Sequence, residues 1–343
     1  MTVTSSVTER DQGGVMVTSA VDMDSLVDPE YRTAFVALPK RVLDPSDVTA
    51  SVATIRESGA ARLAAMAEIS LPDSVSIENH SVPGPGGAPA VNVRLYRSNA
   101  SPRPTPTLYY IHGGGMVGGY VDMSDPYCAS IADRLGILVA SVEYRLAPEH
   151  PYPAPLEDCY AGLRWMWQNA DQLGVDRARL GIGGGSAGGG LAAGLALLAR
   201  DRGEISLCYQ HLVFPMLDHR NSTPSSHAIT DERVWNRDSN TVGWNAYLGG
   251  TAGQDNVPAY ASPACADDLS GLPPAYIFVG TVDLFVDEDT AYAQALRLAG
   301  VPVELHVYPG AFHGSQGSIP DAALSRRWRE DEMAAIDRAL NGA

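Results

Sequence analysis

Basic residues are scarce in this chain of 343 residues. Lys and Arg total 24 against 40 Asp and Glu, which gives a formal net charge of −16. A field of this sign repels polyanions and anionic lipid surfaces, whereas binding to nucleic acid depends on clustered basic side chains. The composition therefore argues against nucleic acid and membrane surfaces as partners.

Cysteine is also scarce, and long apolar runs are missing. The four cysteines show no C-x-x-C spacing, so we expect no disulfide framework and no metal site. No stretch of about 18 apolar residues is present to span a bilayer, and residues 1–24 lack the basic and apolar regions of a secretory signal. We therefore expect a cytoplasmic protein.

Glycine, in contrast, is abundant, and it concentrates in the run GIGGGSAGGG at residues 181–190. Residues 183–188 match G-x-G-x-x-G, the phosphate-binding loop of dinucleotide-binding proteins. Residues 184–188 match G-x-S-x-G, the sharp turn that exposes a nucleophilic serine in hydrolases. The first interpretation makes the glycines a cradle for phosphate, and the second makes Ser186 a reagent.

Short apolar segments alternate with segments of helical spacing along most of the chain. This alternation predicts an α/β fold with a mostly parallel, doubly wound sheet of about eight strands. Two early strands, at residues 91–97 and 106–112, are expected to be antiparallel. The later strands are predicted at residues 137–143, 179–184, 207–214, 275–280 and 303–308, and the helices at 156–168, 187–200, 288–298 and 321–340.

Two parts of the chain fall outside this alternation. Residues 1–70 form an N-terminal segment, of which residues 21–70 look largely helical, and residues 217–262 form a polar insertion dotted with aromatic side chains. We expect both to contribute to a helical cap. Residues 71–216 and 263–343 then make up the catalytic domain.

A serine hydrolase needs backbone N–H donors for the oxyanion of its tetrahedral intermediate. HGGG at residues 112–115 follows a predicted strand, and glycines there let amides point into a cavity without a Cβ in the way. A further N–H is expected from Ala187, which follows the serine. HGGG alone is equally compatible with a flexible turn, and it gains weight from the serine motif downstream.

The hydrolase interpretation also needs an acid and a base, in the chain order Ser, acid, His. His313 lies in a loop directly after the last predicted strand, where a catalytic histidine is expected. Asp283 follows the preceding strand, and Asp287 is the alternative acid, although its position suits the first turn of a helix. The dinucleotide motif expects an acid about twenty residues on. The first acid after the next strand is Asp218, thirty residues past Gly188. This spacing does not fit the dinucleotide motif, so the hydrolase interpretation is favoured.

These motifs resemble those of the hormone-sensitive lipase-like carboxylesterases, bacterial family IV, of the α/β-hydrolase fold, and in particular its bacterial acetyl-esterase branch. The resemblance covers about residues 75–340 and includes EYRLAPEHPYPAPLED at 143–158 and GLPPAYI at 271–277. It implies a nucleophile, an acid and a base at Ser186, Asp283 and His313. It further implies oxyanion donors at Gly114, Gly115 and Ala187, with Gly113 as their neighbour.

The chain departs from the family pattern at two places. Gly185 stands where members often carry Asp or Thr, and the acid loop reads DLFVDE instead of D-P-L-R-D-E. The YRLAPEHPYP segment looks structural rather than catalytic, and within it we expect Arg145 to pair with Glu149.

The sequence therefore predicts a serine carboxylesterase that cleaves short to medium chain esters with water and needs no cofactor. An amidase, peptidase or lactonase with the same triad, and a hydrolase-fold protein that only binds ligands, stay open as alternatives. Family resemblance also suggests a homodimer formed through residues 303–308 and 321–340. The candidate pocket residues are Met116, Val117, Trp235, Trp244 and Tyr247.

Overall fold

A computed structural model describes residues 21–66 and 69–342. Residues 1–20 and 67–68 of the expected N-terminal segment lie outside this part. No helix within the described residues is long and apolar enough to cross a membrane.

The centre of the molecule is a single sheet of eight strands in the order β1-β2-β4-β3-β5-β6-β7-β8. Pairing is antiparallel between β1 and β2 and between β2 and β4, and it is parallel from β4 to β8. The strands are β1 (Val75–Val82), β2 (Val91–Ser98), β3 (Thr105–Ile111), β4 (Leu138–Glu143), β5 (Val175–Gly185), β6 (Tyr209–Val213), β7 (Ala275–Val282) and β8 (Val303–Phe312).

The prediction of two early antiparallel strands holds for β2 and is wrong for β3. β3 lies between β4 and β5 and is parallel to both. Every residue of β3 is buried, as is typical of a central parallel strand covered on both faces, whereas β2 alternates only in part. The sequence reasoning also missed β1, an edge strand with mostly exposed side chains.

Helices cover both faces of the sheet. Tyr109 and Tyr110 of β3 point to opposite faces, since the side chains of a strand alternate. The Tyr109 hydroxyl donates to the Cys159 carbonyl on one face, and the Tyr110 ring packs on Tyr127 on the other. The helices after β3 are α4 (Asp125–Leu135), α5 (Ala154–Gln168), α6 (Ala170–Leu173), α7 (Ala187–Arg202), α8 (Pro224–Ala228), α9 (Arg237–Tyr247), α10 (Val286–Leu298), α11 (Ser315–Ser318) and α12 (Ala323–Leu340).

The N-terminal segment packs against the insertion at residues 217–262. It holds α1 (Met23–Leu26), α2 (Arg32–Val36) and α3 (Val48–Met66), and the insertion holds α8 and α9. The Arg41 amide donates to the Glu232 carbonyl at 2.8 Å. Arg233 forms an ion pair with Asp24 at 2.8 Å, and its guanidinium lies over the Phe35 ring. Two segments distant in sequence thus form one layer, and their division from the catalytic domain stays a prediction.

Candidate active site

Ser186 lies in the sharp turn between β5 and α7. Its backbone has φ of 58° and ψ of −123°, a conformation that L side chains adopt only when their surroundings hold it. The Ser186 amide donates to the Val213 carbonyl at 2.9 Å, and the Met216 amide donates to the Ser186 carbonyl at 3.0 Å. A Cβ on Gly188 would lie 2.0 Å from the Ile111 carbonyl oxygen. Only glycine therefore lets α7 begin this close to β3.

Ser186, His313 and Asp283 form a continuous line of hydrogen bonds. His313 Nε2 lies 3.0 Å from Ser186 Oγ, and His313 Nδ1 lies 2.8 Å from Asp283 Oδ2. The Asp283 side chain is only 1 % exposed, and its other oxygen accepts the Phe285 amide at 3.1 Å. A carboxylate fixed in this way accepts a hydrogen bond from Nδ1–H, which leaves Nε2 unprotonated and free to accept the hydroxyl proton of the serine.

The His313 ring is held between aromatic side chains. The ring of Phe214 lies 4.5 Å from it and that of Phe285 lies 5.2 Å from it, centroid to centroid. Phe214 follows β6 with a φ of 36°, and Phe285 follows the acid in the loop after β7. The sequence reasoning missed both rings, because their contact with the histidine depends on where three separate strands end.

Asp287, the alternative acid, lies in another set of contacts. Its Oδ2 accepts the Ser225 amide at 2.7 Å, at the start of α8. The neighbouring Glu288 is buried, and it accepts the amides of Leu217 at 2.7 Å and Asp218 at 3.2 Å. Burial raises the pKa of Glu288 well above its usual value. Both carboxyl groups thus fasten the first turn of α10 to the insertion.

The HGGG loop, residues 112–119, runs beside the Ser186 turn. A Cβ on Gly113 would lie 3.3 Å from Ser186 Cβ, so the two segments are in direct contact. Within the described part of the chain, the amides of Gly113, Gly114, Gly115 and Ala187 donate to no acceptor. The loop therefore carries N–H groups without an acceptor in that part of the chain, on a segment that touches Ser186 at Gly113.

His112 opens this loop as a buried, uncharged side chain. Its ring stacks on Tyr144 with a centroid distance of 4.2 Å, and the Tyr144 hydroxyl donates to the His112 carbonyl at 2.9 Å. Burial lowers the pKa of His112 to about 4. The histidine therefore stays neutral near pH 7.

Among the candidate pocket residues, Trp235 lies against the HGGG loop. A Cβ on Gly115 would lie 2.1 Å from the Trp235 ring, whose Nε1 donates to Asn240 Oδ1 at 3.2 Å. Met116 and Val117 are fully buried within the loop itself.

Trp244 and Tyr247 lie deeper, in α9. Their rings pack on each other at 6.1 Å, and each also contacts a second ring, His219 for Trp244 and Tyr152 for Tyr247. Both side chains are buried, and neither Trp244 Nε1 nor the Tyr247 hydroxyl has a hydrogen-bond partner among the described residues.

The expected ion pair between Arg145 and Glu149 is wrong. Arg145 makes a bidentate pair with the buried Asp158, with both distances at 2.7 Å. Glu149 makes a bidentate pair with Arg56 of α3, at 2.7 and 2.6 Å, and this guanidinium lowers the pKa of Glu149 to about 2. Nearness in sequence suggested the wrong partner, and nothing in the motif points to Arg56.

No three His, Cys, Asp or Glu side chains within residues 21–66 and 69–342 group so that they could hold a metal ion.

The fold and the site together define an α/β-hydrolase, with a serine, an acid and a histidine at the carboxyl ends of β5, β7 and β8. A family model described as alpha/beta hydrolase fold matches residues 108–316. The chain belongs to this family, and the resemblance to the hormone-sensitive lipase-like carboxylesterases is confirmed.

Relatives and solved structures agree with this assignment. Carboxylesterase NlhH of Mycobacterium tuberculosis is 37% identical over 88% of this chain and 95% of its own length. Ethyl acetate hydrolase of Pseudomonas putida is 34% identical over 67% of this chain and 74% of its own. Among solved structures, a bacterial heroin esterase is 42% identical with a TM-score of 0.86, covering 92% of this chain and 98% of its own.

Proposed function

We propose that the protein hydrolyses short to medium chain carboxylic esters through an acyl-enzyme formed on Ser186. It is a carboxylic ester hydrolase, the class shared by the relatives named above. The observation that carries the mechanism is the hydrogen-bonded line from Ser186 Oγ through His313 to Asp283, at 3.0 and 2.8 Å. Asp283 is the orienting acid in this proposal, and Asp287 is not.

In the first half of the reaction, Ser186 Oγ attacks the ester carbonyl carbon while His313 Nε2 takes the hydroxyl proton. The new oxyanion accepts hydrogen bonds from the amides of Gly114, Gly115 and Ala187, with Gly113 adjacent. Collapse of the intermediate breaks the bond to the alcohol oxygen. His313 returns its proton to that oxygen, and the alcohol leaves.

In the second half, water takes the place of the serine hydroxyl. His313 removes one proton from the water as its oxygen attacks the acyl carbon, and the same amides hold the second oxyanion. The bond to Ser186 Oγ then breaks, the serine regains its proton, and a carboxylic acid is released. The substrates are a small ester and water, and no cofactor takes part.

The preference for short acyl chains rests on two supports. One relative is named for the hydrolysis of ethyl acetate, a short ester. In addition, Trp235 lies over Gly115 of the HGGG loop and reduces the space beside the proposed oxyanion. We propose that Trp235, Met116 and Val117 border the acyl group, and that Trp244 and Tyr247 support this wall from α9.

The test is a series of p-nitrophenyl esters, from acetate to palmitate, on the wild-type protein and on Ser186→Ala. We expect kcat/KM to be highest for the short and medium chains. Loss of the nucleophile lowers kcat by about 10⁵- to 10⁶-fold. Ser222→Ala, at an exposed serine, is the matched control. Hydrolysis that survives Ser186→Ala would refute the nucleophile assignment.

The same assay separates the alternatives. Matched p-nitroanilides test for an amidase or peptidase, and lactones of equal chain length test for a lactonase. An organophosphate that labels wild type and spares Ser186→Ala identifies a reactive serine, whereas failure to label the wild type would favour a protein that only binds ligands.

We further propose that residues 21–66 and 217–262 form a cap over this site, that the protein is cytoplasmic, and that it forms homodimers. The cap is supported by the contacts of α3 with α9, and the reducing compartment by four free cysteines. β8 ends the sheet, so its outer edge has no strand partner among the described residues. Sedimentation equilibrium decides whether the chain is a dimer, and a monomer at micromolar concentration would contradict that proposal.

A further inference from the structure

The HGGG loop has an unfavourable backbone conformation that something must hold in place. Gly114, Gly115 and Met116 have φ of 125°, 64° and 63°. Methionine in the left-handed region is uncommon and costs free energy, so it persists only where the surroundings fix it.

Two kinds of hydrogen bond fix this loop. Within it, the Gly118 amide donates to the Gly114 carbonyl at 3.0 Å. From outside, the Ala147 amide donates to the Met116 carbonyl at 3.0 Å. The carbonyls of Gly114 and Met116 therefore have partners, while the amides of Gly114 and Gly115 have no acceptor among the residues that the structure describes.

Arg56 of α3 completes the external support. Its Nε donates to the Val117 carbonyl at 2.8 Å, and its Nη2 donates to the Ala147 carbonyl at 3.0 Å. One guanidinium thus joins the loop to the residue whose amide holds Met116. The planar fork of arginine suits this task, because its N–H groups point in fixed directions.

Glu149 holds the guanidinium from its other side. The two carboxylate oxygens accept from Nη1 and Nη2 at 2.7 and 2.6 Å. Next to Arg56 on α3, the Ile55 side chain lies 3.6 Å from where a Cβ on Gly118 would be. The same turn of α3 therefore touches the loop through both a polar and an apolar side chain.

We propose that Arg56 is a positioning residue for the HGGG loop, which it holds through the carbonyls of Val117 and Ala147 so that the amides of Gly114 and Gly115 face the developing oxyanion. The proposal rests on the ester hydrolysis described above. Arg56 itself touches none of the reacting atoms.

The test compares wild type with Arg56→Met, using p-nitrophenyl acetate and an organophosphate to count active sites. Removing one oxyanion donor outright costs about 10²- to 10³-fold in rate. A misdirected loop should cost less, so we expect kcat per active site to fall by about 10- to 100-fold with KM changed by less than about threefold. Inhibition by an alkyl trifluoromethyl ketone, whose serine adduct carries an oxyanion, should weaken by a similar factor.

Two further variants separate positioning from general stability. Arg62→Met alters an arginine on the same helix that makes no hydrogen bond within the described residues, and it should keep wild-type kcat. Glu149→Gln leaves the guanidinium bonded to the carbonyls of Val117 and Ala147. Its loss of kcat should therefore be much smaller than that of Arg56→Met. Equal losses for the two would assign the effect to the ion pair and overturn the proposal. Wild-type kcat in a folded Arg56→Met protein would do the same.

Hydrogen exchange provides a readout that does not depend on activity. In Arg56→Met, the hydrogen-bonded amides of Val117, Gly118 and Ala147 should exchange faster, while those of residues 183–190 should not change. Should Arg56→Met not fold, Arg56→Lys keeps the charge without the fork and should change both readouts in the same direction. Wild-type kcat together with wild-type exchange in Arg56→Lys would overturn the proposal. A wild-type protein inactive on every ester would sink the proposed function, and exchange would still report whether Arg56 holds the loop.

Discussion

The Ser186 turn and the HGGG loop lie side by side, yet different parts of the chain hold them in shape. The turn is held by backbone hydrogen bonds to Val213 and Met216, on and just after the neighbouring strand. The loop also accepts a hydrogen bond at Val117 from a side chain 61 residues earlier in the chain, Arg56. Ser186 is thus positioned by the sheet itself, whereas the HGGG loop is bonded to a helix outside the sheet.

This difference explains why one half of the site is readable in the sequence. The glycines around Ser186 are required by close backbone contacts that any strand-turn-helix of this shape imposes. The support of the loop instead needs a guanidinium whose position is set by the packing of α3. A change at the Ser186 turn should abolish ester hydrolysis, and a change in the support of the HGGG loop should reduce its rate.

The largest expected effect is a loss of kcat on substitution of the acid that orients His313 beside the Ser186 turn. Asp283→Asn removes the acceptor that fixes the His313 tautomer, and we expect kcat to fall by about 10⁴-fold with the fold intact. Asp287→Asn is the matched control, because that carboxylate accepts the Ser225 amide instead. Steady-state kinetics on both variants decide the assignment. A greater loss in Asp287→Asn than in Asp283→Asn would make Asp287 the acid.

A second break tests how closely the turn is packed. In Gly188→Ala the new methyl group would lie 2.0 Å from a backbone oxygen, so we expect a loss of at least about 3 kcal/mol in unfolding free energy. In Gly185→Ala the nearest atom is the Tyr110 hydroxyl oxygen at 3.2 Å, the end of a side chain that can shift, and the loss should stay within about 1 kcal/mol. Urea unfolding of the two variants measures this, and equal losses would contradict it.

The smallest expected effect concerns pH and the HGGG loop. Because burial lowers the pKa of His112 from 6.5 to about 4, the unfolded chain binds a proton between these values that the folded protein does not. Folding stability should therefore fall as the pH drops from 6.5 towards 4, by up to about 3 kcal/mol from this group.

His112→Gln should remove that part of the acid sensitivity, as measured by urea unfolding at both pH values. His80→Gln, at a histidine whose side chain is 30% exposed, is the control. An unchanged pH dependence in His112→Gln would contradict the assigned cause.

Particular residues show how far the sequence could be used. The alternation of strands and helices predicted the sheet, because parallel strands joined by helices leave a strong pattern of buried and half-buried residues. β1 was missed because most of its side chains are exposed. β3 was given the wrong direction because an apolar run does not show which strands it pairs with.

The partners of the two ion pairs were not predicted for a related reason. Arg145 and Glu149 are close in sequence, but the fold brings Asp158 to the first and Arg56 to the second. Hydrophobic periodicity and motifs report local geometry and strand ends. They carry no information on which distant helix packs over a loop, and so the positions of Arg56, Ser225 and Phe214 around the site had to come from the structure.

The docking of the N-terminal segment has a consequence for how the chain folds during its synthesis. The Asp28 amide donates to the Gly310 carbonyl, and the Tyr31 hydroxyl bonds to Ser325 Oγ, 294 residues further along the chain. At about 5–20 residues per second, a ribosome needs roughly 15–60 s to make the chain between them. Tyr31 and Phe35, both fully buried in the finished protein, stay without their partners for that time. Newly made chains should therefore be good clients for chaperones that bind aromatic segments, until the C-terminal helix is complete.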